Sequence, residues 1–301
     1  MAEAFVLENQ HIRLVVVPQN GARVTSLIDK KSGREWLVQG AGDTLPPEPE
    51  AVYGGAEAAG WDECFPTITR VRAASATAWH RPLRDHGELW GRPWQVEEAN
   101  GTRLTTRYAS PEFTFTRTLE LDGLRVECSY EVVTAGRRAL PFLWTQHVLL
   151  AVTPADRIVL PGVKLIDADY MQLNGEVRMP QTYSWPGPGG VLGIPLDAIH
   201  PESTRLAAKF HAEAPLVPMA SVGNETGWLD FVWDAEELPY LGLWMNYGAW
   251  PSDRPQHHLA IEPTTTAHDS IADATPQQRR RVLRRDTPFV WTVTLALREG
   301  I

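Results

Sequence analysis

The sequence predicts an all-β fold, a large antiparallel β-sandwich, and three observations carry that expectation. Asn-Gly and Asp-Gly pairs separate runs in which apolar and polar residues alternate. Strand-like segments of the same character recur along the whole chain. The 24 prolines and 23 glycines supply the turns between them. A chain of 301 residues is compatible with one sandwich, since all-β domains often exceed about 200 residues. One domain, 1–301, is therefore expected.

The first hairpin signal is Asn20-Gly21, between Ile12 to Val17 and Val24 to Ile28; the second is Asn100-Gly101, between Trp94 to Glu98 and Arg103 to Tyr108. Asp122-Gly123 joins the two clearest strands. Phe113, Phe115, Leu119 and Leu121 share one face of the first, and Val126, Cys128, Tyr130 and Val132 share one face of the second. Further strands are expected at Leu140 to Val152, Val163 to Tyr170, Arg205 to His211, Trp228 to Trp233, Leu241 to Tyr247, His258 to Glu262 and Phe289 to Leu297. The Pro/Gly-rich stretches Leu45 to Gly60 and Trp185 to Gly193 read as connections within the sandwich. Thr275-Pro276 reads as the start of a helix carrying Arg279, Arg280, Arg281, Arg284 and Arg285 on a solvated face.

Composition narrows function. Hydrophobic residues make up 43% and charged residues 22% of the chain, which excludes wholesale disorder. A net charge of −9 argues against nucleic acid as the partner. No apolar run reaches the roughly 20 residues of a membrane helix. Met1-Ala2-Glu3-Ala4-Phe5 lacks the basic flank and apolar stretch of a secretion signal, so a cytoplasmic protein is expected. Two cysteines, Cys64 and Cys128, make no disulfide framework, and Cys64 reads as packing. No zinc-ligand spacing, dinucleotide fingerprint, phosphate loop or serine elbow occurs, so no metal, no dinucleotide chemistry and no serine hydrolysis are expected. Twelve tryptophans suggest aromatic surfaces for a ligand, because exposed indoles stack on sugar rings.

Three segments put titratable groups in unusual company. In Arg84-Asp85-His86-Gly87-Glu88 a histidine stands beside a glycine that permits close backbone approach; a hydrogen-bonded surface turn is the plain alternative. In Leu143-Trp144-Thr145-Gln146-His147-Val148-Leu149 alternation sets His147 on one face with Leu143, Thr145 and Leu149. It is either a core histidine or a desolvated acid. In His257-His258-Leu259-Ala260-Ile261-Glu262-Pro263 an apolar strand ends on a carboxylate, which needs an ion pair or a chemical role. Pro263 is expected to end the regular pairing.

Together these segments resemble the aldose 1-epimerase (galactose mutarotase-like) superfamily. The stretch Leu14 to Ala22 with Ser26 to Lys30 resembles its N-terminal hairpin. Trp61-Asp62-Glu63-Cys64-Phe65-Pro66 resembles a sugar-contacting loop, His86-Gly87 its first active-site histidine, Trp144 to His147 its second, and Leu259 to Pro263 the strand ending in its glutamate. The resemblance implies a β-supersandwich and a cofactor-free reaction. Glu262 would be the base at the anomeric hydroxyl, with its pKa raised by burial. His147 would be the acid at the ring oxygen, and His86 would bind the sugar and polarise the bond that breaks.

Trp61, Asp62, Trp90, Arg92, Trp244 and Asn246 are the expected substrate contacts, Trp244 covering the sugar while Asn246 reads a hydroxyl. Trp244 is also readable as plain core. The resemblance further implies a sugar-binding aspartate, for which Asp230 and Asp234 are the candidates. Trp90 stands near the position where phosphosugar relatives carry an arginine. Arg72, Arg81, Arg84 and Arg92 nevertheless keep an anionic sugar open. A non-catalytic sugar-binding module and a glycoside hydrolase or lyase are the other classes. A hydrolase would need a second carboxylate from Asp62, Glu63, Asp85 or Glu88. Monomer and homodimer both fit.

Overall fold

A computed structural model describes residues 3–40, 53–54, 58–72, 78–187, 193–213, 217–272 and 281–300. Its core is two antiparallel sheets. The larger runs in the order Phe5–Glu8, Ile12–Val17, Arg23–Asp29, Trp61–Cys64, Thr145–Leu150, His257–Thr264, Tyr240–Tyr247, Leu206–Glu213, Leu165–Leu173 and Glu176–Arg178, with Gln181–Ser184 also paired to Leu165–Leu173. The smaller runs Arg157–Val159, Met219–Asn224, Gly227–Trp233, Phe289–Arg298, Arg125–Thr134, Phe113–Asp122, Arg103–Ala109 and Gln95–Ala99. Buried side chains of both sheets form one hydrophobic cluster. The expected all-β sandwich is thus the observed architecture.

Alternation builds it strand by strand. Phe113–Asp122 buries Phe113, Phe115, Leu119 and Leu121 towards the larger sheet. The same buried face carries Arg117, which extends to Glu63 on the Trp61–Cys64 strand (Nη1–Oε1 3.0 Å). Glu63 also accepts from the Trp61 and Trp144 indoles (3.0 and 3.1 Å) and from the Tyr130 hydroxyl (3.2 Å). Burial pushes the Glu63 carboxyl up to about 7, against the Arg117 guanidinium, which favours its ionised form. These polar bonds lock the two sheets at one register, and removing one partner of such a pair costs about 3–5 kcal/mol.

Several expectations are corrected. The predicted Leu140 to Val152 strand is two strands: Leu140–Phe142 pairs with Arg281–Leu283, and Thr145–Leu150 joins the larger sheet. The predicted helix is a strand from Arg281, with Arg284 and Arg285 following it; Thr275, Pro276, Arg279 and Arg280 lie outside the described residues. Most of Leu45 to Gly60, and 188–192 of the second connection, also lie outside them. Pro263 does not end its strand, which continues to Thr264. On the side facing Thr145–Leu150 the registered pairs are Thr264↔Thr145, Ala260↔Leu149 and Leu259↔Leu150, so Pro263 falls in a gap of that ladder. A proline there forfeits no pairing N–H. Among the described residues no helix is long and apolar enough to cross a membrane.

Candidate active site

The larger sheet packs one face on the smaller sheet and carries a cavity on the other. Alternation decides which side chain goes where. On Thr145–Leu150, Gln146 points inward, its amide N–H donating to the Tyr130 hydroxyl (2.9 Å), while His147 and Leu149 line the cavity. On the next two strands His258, Glu262 and Trp244 line it, and Lys209 does so from Leu206–Glu213. The volume is about 340 Å³, within the range of small-molecule sites.

His86 enters from a loop that only glycine can close. Gly87 has φ +79°, and a Cβ there would lie 2.1 Å from the Phe65 carbonyl oxygen. That close approach carries two backbone bonds, Glu88 N–H to Phe65 O (2.6 Å) and His86 N–H to Ile68 O (2.5 Å). The His86 ring stacks on Tyr53 (centroids 4.1 Å, 14°), and its Nδ1 lies 3.2 Å from Asp85 Oδ2. The His86 and His147 rings stand 5.2 Å apart.

His147 Nε2 lies 4.0 Å from Glu262 Oε1. Burial holds the His147 pKa well below the ordinary imidazole value, and positive charge at His86 and Lys209 would lower it further. Glu262 is 1% exposed, and its Oε2 accepts from Lys209 Nζ. Lys209 also approaches Asp269 (3.6 Å), Asp269 approaches His211 Nε2 (3.5 Å), and His211 Nδ1 meets Asp169 (2.8 Å). Burial alone would lower the Lys209 pKa, but the carboxylates of Asp269 and Glu262 outweigh it and raise it. On the apolar wall the Trp244 indole donates to His258 Nε2 (3.1 Å), and burial pushes the His258 pKa down to about 3.

The cavity brings together Glu262, His147, His86 and Trp244. The other expected contacts stand elsewhere, and each has a physical reason. Trp61 is fully buried, bonded to Glu63 between the sheets. Asp62 is held by Arg23 (Nη2–Oδ2 2.7 Å) and reaches the cavity only through the Tyr53 hydroxyl (3.3 Å). Trp90 props the loop from behind, donating to the Asp85 carbonyl (2.7 Å) and meeting Tyr53 edge-on. Arg92 lines a separate pocket with Arg70, Arg81, Arg84 and Glu88. Asn246 donates to the Trp250 carbonyl (2.6 Å) and accepts the Trp250 N–H (3.1 Å), so it fixes Trp250. Asp230 pairs with Arg298 (2.9 Å), and Asp234 accepts the Glu236 N–H (2.8 Å), both away from the cavity.

Nine of the 12 tryptophans are buried, so only Trp228, Trp244 and Trp250 were available for ligand contact, and the last two line the cavity. Of the four carboxylates considered for a hydrolase, only Asp85 lines it. Sequence reasoning missed Lys209, His211 and Asp269. A signal existed for the first: a lysine inside Ala207-Ala208-Lys209-Phe210, on a strand buried from Leu206 to Ala212. Among the described residues no group of three or more His, Cys, Asp or Glu side chains forms a metal site.

The aldose 1-epimerase family matches residues 3–182, more than half of the chain. The chain belongs to the aldose 1-epimerase family. Solved structures of this epimerase-family fold span nearly the whole chain. The Slr1438 protein of Synechocystis sp. PCC 6803 superposes with TM-score 0.69 at 16% identity, covering 99% of this chain and 96% of its own. A galactose mutarotase related enzyme from Lactobacillus acidophilus gives 0.69 at 14% identity, covering 99% and 98%. The GalM/aldose epimerase homologue from C. elegans gives 0.62 at 11%, covering 100% of both chains. Identities this low establish the shared fold alone. No curated protein sequence matches the chain.

Proposed function

We propose that this protein interconverts the α and β anomers of a neutral aldose. Glu262 removes the proton of the anomeric hydroxyl while His147 delivers one to the ring oxygen. The C1–O5 bond breaks, the open-chain aldehyde rotates about C1–C2, and closure with the reverse proton transfers gives either anomer. The observation that carries the reading is the meeting of His147 Nε2 and Glu262 Oε1 at 4.0 Å on the cavity wall. Two oxygens on one carbon need an acid and a base that close together. In this reading His86, stacked on Tyr53 and beside Asp85, would donate to the sugar, and Trp244 on the cavity wall would cover its apolar face.

Charge supports a neutral substrate over a phosphorylated one. Asp85, Asp269 and Glu262 line the cavity, and Lys209 is the single lysine or arginine among its described lining residues. Burial keeps His147 and His258 uncharged at neutral pH. An anionic sugar would therefore meet an excess of carboxylate.

Anomer exchange followed by NMR on neutral aldoses and their 6-phosphates tests the reading. Acceleration on a neutral aldose, reduced about 10²–10⁴-fold in Glu262→Gln, is the expected result. Sugar binding with no acceleration would establish a binding module instead. Near-full activity in Glu262→Gln would remove the assigned base.

A further inference from the structure

Lys209 and Glu262 do not sit on neighbouring strands. The Tyr240–Tyr247 strand runs between them, with Lys209 opposite Trp244 on one side and Glu262 opposite Gly242 on the other. Two strand spacings put their backbones about 10 Å apart, and a side chain on the intervening strand would fill the space. At the position between them the residue is glycine. A Cβ on Gly242 would lie 2.8 Å from Glu262 Oε2 and 3.4 Å from Lys209 Nζ. The missing side chain is what lets the ammonium reach the carboxylate. Behind Lys209, Asp269, His211 and Asp169 continue the chain of charged and polar contacts outward, ending on a carboxylate that is 40% exposed.

We infer that Lys209 is a positioning residue for the proposed epimerase reaction: reaching across Gly242, it clamps Glu262 Oε2 and leaves Oε1 as the oxygen that takes the proton. The inference rests on the epimerase reading for its chemistry and on the Lys209–Gly242–Glu262 geometry for its substance. A carboxylate free to rotate would present either oxygen to the sugar, and misplacement of a reacting group by about 1 Å costs on the order of 10²-fold in rate.

The groups facing Glu262 from the surrounding elements define the electrostatic background. Lys209 faces it from Leu206–Glu213, His147 from Thr145–Leu150 and Cys64 from Trp61–Cys64, and His258 lies on its own strand. Asp269 acts through Lys209, and Asp85 and His86 stand on the loop lining the cavity. Lys209 supplies the direct ion pair to Glu262.

Gly242→Ala is the decisive variant, because it keeps every charge and only wedges the pair. The atom it meets most closely is the end of a flexible carboxylate, with Glu262 Cβ next at 3.3 Å, so Oε2 is displaced while the strand gives by a few tenths of an ångström at most. Lys209→Met and Lys209→Arg accompany it. The readouts are kcat and KM of anomer exchange, with sugar affinity measured separately by NMR. Weakening the clamp should lower kcat in Gly242→Ala, and further in Lys209→Met, with KM and sugar affinity little changed. Lys209→Arg, which keeps the cation, should return kcat towards wild type. The rate at neutral pH should fall at least about tenfold in Gly242→Ala.

A folded Gly242→Ala with wild-type kcat overturns the clamp, whatever Lys209→Met does. Should wild-type protein exchange no aldose, the epimerase reading fails by itself. Crystal structures of the wild type and of Gly242→Ala then still decide the clamp, a Lys209 that does not meet Glu262 Oε2 in the wild type, or that meets it unchanged in Gly242→Ala, refuting it.

Discussion

At the scale of a residue, the demand on His147 is the sharpest. To give a proton to the ring oxygen it must first carry one, yet burial holds its pKa well below the ordinary imidazole value. The protonated fraction falls tenfold for each pH unit above that pKa. The descending limb of kcat/KM for anomer exchange should therefore already be under way at about pH 6.5, the unperturbed imidazole value. His147→Asn should cut the rate about 10²-fold and abolish that limb, with sugar affinity little changed. A wild-type profile flat from about pH 5.5 to 8 would show His147 acting as a neutral N–H donor. Glu262 Oε1 stands 4.0 Å from His147 Nε2, so a proton on that nitrogen faces a carboxylate.

At the scale of an element, Gly87 shows how a loop can be fixed by a missing atom. The backbone of 86–88 crosses Phe65 so closely that a Cβ at 87 would stand 2.1 Å from a carbonyl oxygen, at φ +79°. Gly87→Ala should destabilise the protein by at least about 1–3 kcal/mol from backbone strain alone and pull His86 off Tyr53. Urea unfolding and anomer exchange measure both effects; an Ala variant with wild-type stability and rate would contradict the account. The His86-Gly87 pair was readable in the sequence, as were the hairpins around Asn100-Gly101 and Asp122-Gly123, because turn chemistry and period-two alternation are local signals. The Trp61–Cys64 strand was not readable as a strand. All four residues are buried, two are charged, and their partners Arg23 and Arg117 come from distant elements. Lys209 and Asp269 escaped for the same reason: what makes them part of the site is long-range contact, Lys209 with Glu262 53 residues away and across a strand, and Asp269 with Lys209. The sequence motifs located the acid, the base and the first histidine, whereas the support around them is long-range and has no pattern to read.

At the scale of the molecule, the buried histidines set how stability depends on acid. His258 is 1% and His147 6% exposed, and folding keeps both uncharged, His258 down to about pH 3. In the unfolded chain each takes a proton near pH 6.5. Their folded pKa values are lowered, so the stability they contribute is present above about pH 6.5 and lost as pH falls below it. Glu63 works in the opposite sense. Its pKa is raised to about 7, so its contribution is present below the unfolded carboxyl value and lost as pH rises. Between about pH 4.5 and 6.5 two histidines oppose one carboxyl, and the net slope is a loss of stability on acidification. Urea unfolding at pH 7 and pH 5 should show this directly. In His258→Gln, which keeps an acceptor for the Trp244 indole, the difference between the two pH values should shrink by about 2 kcal/mol. A His258→Gln protein with an unchanged difference would mean that His258 takes up its proton in the folded state, and the Trp244 bond to a neutral Nε2 would then be wrong.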